Sequence, residues 1–96
     1  MTNSEPNEFP IDGTLDLHTF RPEDLGSLIP DYIEACLERE IYALRIIHGK
    51  GTGSLRRSVH ALLDRHPRVE SYSLAGDRSG WGATLVNLRE EPRESF

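Results

Sequence analysis

Two short stretches of the sequence carry side chains suited to acid–base chemistry on a phosphate. Asp16 and His18 flank a leucine in LDLH, and His48 opens the glycine-rich stretch HGKGTG. Histidine has an ordinary pKa of about 6.5, so it can both accept and donate a proton near neutral pH. Glycines let backbone amides approach an anion closely. These residue types favour proton transfer at a phosphodiester, with Asp16, His18 and His48 as the candidate catalytic residues.

The second stretch also carries groups suited to binding phosphate. It leads into a predicted helix, whose free N-terminal amides and positive dipole end favour an anion. The candidate phosphate-binding or nucleic-acid-binding residues are Gly49, Lys50, Gly51, Thr52, Gly53, Arg56 and Arg57. The stretch matches neither a P-loop, in which Ser or Thr follows the lysine, nor a complete GxGxxG fingerprint. Taken alone, glycines after a strand are more often simply the turn that starts a helix.

Structural interpretations compete with each of these functional ones. His18 and Asp16 can serve as a polar strand end and a local cap, and each alone favours structure over catalysis. Arg56, Arg57, His60 and His66 fall on the polar face of a predicted helix, which is usually just solvated. Trp81 suits either stacking on a base or packing over the sheet edge.

The elements that must position these residues follow from hydrophobic periodicity. Alternation predicts a strand over 14–18, and helical spacing predicts helices over about 22–39 and 54–66. Apolar runs predict further strands at 42–47, 69–74 and 83–88, which gives the order βαβαββ. A strand–helix–strand unit makes parallel strands that end at one edge of a sheet, so His18 and His48 should meet there. Pro30 should kink the first helix.

Composition limits the class of protein. The 96 residues form one domain, with a polar arm at 1–10, a folded part at 11–89 and a polar tail at 90–96. No stretch is apolar enough for a membrane span or a signal peptide, so we expect a cytoplasmic protein, and the single cysteine, Cys36, should be a buried thiol. The net charge is −5, yet residues 41–69 hold six Arg and Lys against one Asp, a local +5.

Three motifs together resemble the small MutS-related (Smr) domain family. They are LDLH at 15–18, IIHGKGTG at 46–53 and GATLVNL at 82–88, and the resemblance spans about residues 13–89. It implies an α/β fold, an α+β two-layer sandwich with two helices and a four-stranded mixed sheet, similar to the C-terminal domain of translation initiation factor three. In this family, function is carried mainly by the Asp-Leu-His and His-Gly-x-Gly motifs. The hairpin residues Gly82 and Thr84, with Trp81 nearby, would shape the site. Thr19 departs from the glycine that many members have there.

The resemblance implies an endonuclease that cleaves RNA or nicks DNA, with nucleic acid as partner, the ribosome as a further partner by family analogy, and no membrane. On RNA, His18 and His48 would share the roles of base and acid without a metal, and the sequence does not say which takes which role. Nicking DNA would need an activated water, for which Asp16 and the histidines would hold a divalent metal. A non-catalytic nucleic-acid or ribosome-associated binding module and a small nucleotide-binding domain are the alternatives. A monomer is favoured.

Overall fold

The computed structural model describes residues 11–49, 53–75 and 82–90. Strand β1 (Thr14–Asp16) is followed by a single 3₁₀ turn (Pro22–Asp24) and helix α1 (Leu25–Glu38). Strand β2 (Ala43–Ile47) precedes helix α2 (Ser54–Arg65), and strands β3 (Val69–Leu74) and β4 (Ala83–Leu88) complete the chain. The predicted order βαβαββ is confirmed.

The four strands form one mixed sheet in the order β1-β2-β4-β3. β1 and β2 are parallel, with Asp16 opposite Ile47, whereas β4 pairs antiparallel with both β2 and β3. The parallel pair continues past β1, because the amide of Leu17 donates to the carbonyl of Ile47 at 2.9 Å. The carboxyl ends of β1 and β2 therefore lie side by side at one edge of the sheet, as the strand–helix–strand pattern predicts.

One face of the sheet packs on both helices and the other stays open. Burial alternates along the strands, so that Leu15, Leu44, Ile46 and Val86 are buried while Asp16 and Leu85 are not. The helices contribute Leu25, Ile29, Ile33, Cys36, Val59 and Leu63 to the same core. Cys36 is a buried thiol, as predicted, and burial raises its pKa. The two-layer α+β architecture is thus confirmed.

The first helix differs in detail from its predicted form. The sequence predicts one helix over 22–39, but the chain first makes the 3₁₀ turn, where the amide of Arg21 donates to the carboxylate of Asp24 at 3.0 Å. Helix α1 then continues through Pro30 as a single element. Pro30 removes one hydrogen bond to the carbonyl of Gly26, a residue whose surroundings are open. The expected kink stays a prediction.

The polar arm at 1–10 and all of the tail but Glu90 lie outside the described residues, as do Lys50, Gly51, Thr52 and Trp81. In the described part of the chain, no helix is long and apolar enough to cross a membrane.

Candidate functional site

Asp16 and His18 form a hydrogen-bonded pair at the end of β1. One carboxylate oxygen of Asp16 accepts the backbone amide of His18 at 3.0 Å and lies 3.0 Å from its ring atom Nδ1. The backbone hydrogen bond is the main cause that lowers the pKa of Asp16, so the carboxylate is charged at neutral pH. Because Nδ1 faces the carboxylate as an N–H, the other nitrogen, Nε2, is the one presented at the surface. The His18 side chain is 75% exposed, so a substrate can reach it.

His48 lies beside this pair in the sheet but has very different surroundings. It continues the alternation of Leu44 and Ile46, so its side chain enters the layer between sheet and helices and is only 6% exposed. Both of its ring nitrogens have partners within the protein. Nδ1 lies 3.0 Å from the carbonyl oxygen of Gly49, and Nε2 lies 2.8 Å from the hydroxyl of Thr84.

The start of the glycine-rich stretch is held by the beginning of β4. The carbonyl of Gly82 accepts the backbone amides of both His48 and Gly49, at 2.9 and 2.8 Å. Gly49 has a φ of +80°, in the left-handed region that side chains other than glycine rarely adopt. Gly82 and Thr84 therefore hold the backbone and the ring at the start of this loop, and the site-shaping role expected of them stays a prediction.

Thr84 also contacts a second histidine, which the sequence analysis assigned to the solvated face of α2. The ring atom Nε2 of His60 lies 2.8 Å from the Thr84 hydroxyl, and the rings of His48 and His60 are 6.2 Å apart in an edge-on arrangement. That assignment of His60 was wrong, because His60 borders Val59 and Leu63 on α2 and turns toward β4. A histidine next to two buried apolar positions of a helix was the available signal.

His60 also contacts a residue of β3, Tyr72. Its ring packs on Tyr72, with ring centroids 4.7 Å apart, and the Tyr72 hydroxyl donates to Asp64 at 2.7 Å. This hydrogen bond raises the pKa of Tyr72. Burial lowers the pKa of His60, and His48 and Arg56 lower it further against an opposite pull from Asp64. The uncharged form of His60 is thus favoured.

A cleft of about 340 Å³ opens at the same edge of the sheet. One wall is the segment after β1, with Phe20, Arg21 and Pro22, and the other is the start of α2 from Gly53 to Arg56. His48 and Gly49 line the cleft between these walls. The N-terminus of α2 and the side chains of Arg21 and Arg56 thus face one cleft, and both features favour an anion. Phe20 and Arg21 are site residues that the sequence analysis did not single out.

Two guanidinium groups converge beside the N-cap of α2. A Cβ atom placed on Gly53, which has a φ of +90°, would lie 2.9 Å from Nη2 of Arg56 and 3.6 Å from Nη1 of Arg57. Within the described ranges neither arginine has an ion-pair partner, whereas Arg21 lies 3.5 Å from a carboxylate oxygen of Glu23. The absence of a side chain at position 53 leaves room for this pair of positive charges next to the positive end of the helix dipole.

One arginine of the basic block, Arg68, is engaged with the backbone that follows β4. Arg68 donates to the carbonyls of Arg89 and Glu90, and Arg89 donates in return to those of Pro67 and Val69. These reciprocal hydrogen bonds link the start of β3 to the end of β4. The local charge of +5 therefore overstates what is available to a ligand, since the guanidinium group of Arg68 is already engaged with backbone.

The described residues do not include a group of three or more His, Cys, Asp and Glu side chains that could hold a metal ion. Asp16 and His18 supply only two donor groups, which are bonded to each other. This donor set does not fit the divalent metal that the sequence analysis associated with DNA nicking, so no metal-dependent step is derived.

Two half-buried histidines, His60 in α2 and His66 at its C-terminal cap, should make stability depend on pH. Burial lowers the folded-state pKa of both His60 and His66, so between those values and about 6.5 the unfolded chain binds protons that the folded chain does not. We expect the free energy of unfolding to fall as the pH drops from 7 to 5. Denaturant titrations should show a weaker pH dependence in His60→Gln, with the contribution of His66 remaining. Equal pH dependence in the two proteins would contradict the burial of His60.

Fold and site define a small α+β domain with an arginine-lined cleft and an exposed Asp–His pair at the end of β1. The profile of the Smr domain matches residues 15–89, and the chain belongs to this family. It is 41% identical over 76 residues to "Endonuclease MutS2" of Solidesulfovibrio magneticus and 44% identical over 75 residues to that of Maridesulfovibrio salexigens. These matches cover 78% and 77% of this chain but 10% of each relative. The chain thus corresponds to about a tenth of these proteins.

Two crystal structures show the same fold. The Smr domain of Thermus thermophilus MutS2 matches with a TM-score of 0.76 and 33% identity, covering 81% of this chain and 99% of that domain. YdaL, a stand-alone small MutS-related protein from Escherichia coli, matches with a TM-score of 0.75 and 27% identity, covering 85% of this chain and 68% of YdaL.

Proposed function

We propose that this Smr domain is an endonuclease that cleaves phosphodiester bonds of nucleic acid at the cleft between the end of β1 and the start of α2. The observation that carries the proposal is the Asp16–His18 hydrogen bond, which leaves a solvent-accessible imidazole just beyond the end of β1, the strand that pairs with β2. Relatives of the chain are named endonucleases, which supports the same activity.

His18 is the proton-transfer group in this proposal. Its Nδ1 faces the Asp16 carboxylate, so the exposed Nε2 is the atom that takes a proton from, or gives one to, the reacting group. The carboxylate orients the ring and stabilises the imidazolium that forms when Nε2 takes up a proton. Asp16 is accordingly a positioning residue that acts through His18.

The cleft supplies the phosphate-binding groups. Arg56 lines the cleft at the start of α2, and the guanidinium of Arg57 converges with it beside Gly53. Guanidinium groups at a helix N-terminus stabilise the negative charge that builds on a phosphate during cleavage. Lys50 and the amides of Gly51 and Thr52 complete this set in the proposal, although they lie outside the described residues.

His48 acts differently from His18 in this proposal. Sequence reasoning gave both histidines acid–base roles, but in the folded chain both ring nitrogens of His48 are occupied and the ring is nearly inaccessible. In this arrangement His48 fixes the peptide of Gly49 in the wall of the cleft. A direct role in proton transfer would require the contacts to Thr84 and Gly49 to break.

RNA is the substrate that this chemistry favours. His18 would take the proton of a ribose 2′-hydroxyl, and the 2′ oxygen would attack the phosphorus as the bond from phosphorus to the 5′ oxygen breaks. The imidazolium would then return its proton to the leaving 5′ oxygen, directly or through water. The expected products carry a 2′,3′-cyclic phosphate and a 5′-hydroxyl. DNA nicking needs an activated water, for which the described residues offer no metal-holding cluster.

The proposal is tested by incubating the purified chain with structured RNA and with supercoiled plasmid, each with and without EDTA. We expect cleavage of RNA that EDTA does not abolish, and ends that match the cyclic-phosphate chemistry. Matched RNA with a single 2′-deoxy nucleotide at the cut position should resist cleavage there. Binding without cleavage would instead identify a non-catalytic module.

A further inference from the structure

The hydrogen bonds that surround Thr84 have only one consistent direction when both histidines are uncharged. A carbonyl oxygen only accepts, so the contact to Gly49 requires that His48 carries its proton on Nδ1. Nε2 of His48 is then a bare acceptor and takes the single proton of the Thr84 hydroxyl. With that proton used, the Thr84 oxygen accepts from His60, which must carry its proton on Nε2.

The geometry points to His60 as a positioning residue of the site, which acts through Thr84 to fix the tautomer and ring orientation of His48 and thereby the Gly49 carbonyl in the wall of the cleft. The chain of donors runs from His60 on α2 to Thr84 on β4, then to His48 after β2, and ends on Gly49. As a statement about activity, this inference rests on the proposed function.

The effect of His60 on His48 arises because a threonine hydroxyl has only one proton to donate. Without a donor from His60, the Thr84 proton is free to rotate toward other acceptors, and Nε2 of His48 then loses its partner in a buried position. An unsatisfied buried nitrogen favours a change of tautomer or protonation, either of which disrupts the contact to Gly49.

The surroundings of His60 keep it in place as a neutral donor. Tyr72 packs against its ring and is itself tied to Asp64, so α2 and β3 hold the imidazole between them. Arg56 and His48 disfavour a positive charge on His60, while Asp64 partly offsets them. Both Arg56 and His48 also line the cleft. A ligand in the cleft would therefore contact His48 of the hydrogen-bond chain and Arg56, which acts on His60.

The first measurement uses the unaltered chain. Long-range ¹H–¹⁵N NMR of the imidazole nitrogens at a pH near 8, where histidines are uncharged, reports which nitrogen of each ring carries the proton. We expect opposite tautomers, Nδ1–H for His48 and Nε2–H for His60. The same tautomer in both rings, or the reverse pair, would overturn the inference without any substitution.

Substitutions then test whether His60 sets the state of His48. His60→Leu removes the donor, whereas His60→Gln keeps an N–H at the position of Nε2 and serves as the matched control. We expect mixed tautomers of His48 in His60→Leu and the wild-type tautomer in His60→Gln. The rate of RNA cleavage should fall about tenfold in His60→Leu, a factor that corresponds to about 1.4 kcal/mol and lies in the range for leaving a buried polar group without its partner, and recover in His60→Gln.

A second pair keeps the test decisive if His60→Leu does not fold. Thr84→Val removes the hydroxyl at nearly constant volume, and Thr84→Ser retains it, so only the valine variant should lose the Nδ1–H tautomer of His48. An unchanged tautomer in Thr84→Val, or in folded His60→Leu, overturns the inference. A wild-type chain that shows the expected tautomers but cuts no nucleic acid would refute the proposed function alone, since the NMR result does not depend on cleavage.

Discussion

Replacement of His18 by alanine is expected to lower the rate of RNA cleavage by about 10²–10⁴-fold, the usual contribution of a general acid or base. The side chain is 75% exposed and its described contacts are confined to Asp16, so the loss should lie in turnover and not in folding. Cleavage kinetics on a defined RNA, beside thermal unfolding of both proteins, measure the two effects separately. The unfolding free energy should stay within about 0.5 kcal/mol of the wild-type value.

Asp16→Asn is the companion variant for this prediction. Asparagine retains an oxygen that can accept the His18 amide, but it removes the charge that supports a protonated His18. We expect an intermediate loss of activity, because the neutral amide stabilises the imidazolium formed during proton transfer less than a carboxylate does. If His18→Ala retained more than a tenth of wild-type activity, the proton-transfer role of His18 would be excluded.

Removal of the positive charges beside Gly53 is expected to weaken nucleic-acid binding by about tenfold for each arginine, since a hydrogen bond to a charged group contributes about 1.5–3 kcal/mol. Arg56→Gln and Arg57→Gln should each also reduce the dependence of log K on log salt concentration by about 0.7 for single-stranded nucleic acid. Titrations of labelled RNA at several salt concentrations measure both quantities.

Arg65→Gln is the matched control for the arginine variants. Arg65 carries the same charge but lies in the last turn of the same helix, at the end opposite the guanidinium pair beside Gly53. We expect nearly unchanged affinity and salt dependence in this variant. Equal losses in Arg56→Gln and Arg65→Gln would mean that net charge, and not the cleft, governs binding.

Much of the architecture was predictable because it depends on local patterns. Periodicity located both helices and all four strands to within a few residues, and the parallel connection correctly brought the ends of β1 and β2 together. The 3₁₀ turn before α1 was missed, because Pro22 and the acidic residues after it suit the first turn of either kind of helix.

The site was predicted less completely than the fold. The adjacency of Asp16 and His18 follows from alternation along β1, and the structure adds their direct hydrogen bond. The contrast between an exposed His18 and a buried His48 was not predicted, since the sequence analysis treated the two imidazoles as equivalent. The burial of each ring depends on which side chains of α2 and β4 pack against it.

The sequence by itself determined the order of elements, the buried face of each strand and the placement of two motifs at one sheet edge, because these follow from periodicities of two and 3.6 residues. Only the tertiary structure decided the hydrogen-bond partners. Thr84 meets His48 across 36 residues and His60 across 24, and Arg68 meets Arg89 across 21. Such contacts depend on where each side chain lies after helix and sheet have packed. Hydrogen bonding requires the donor–acceptor distance to be correct within a few tenths of an ångström.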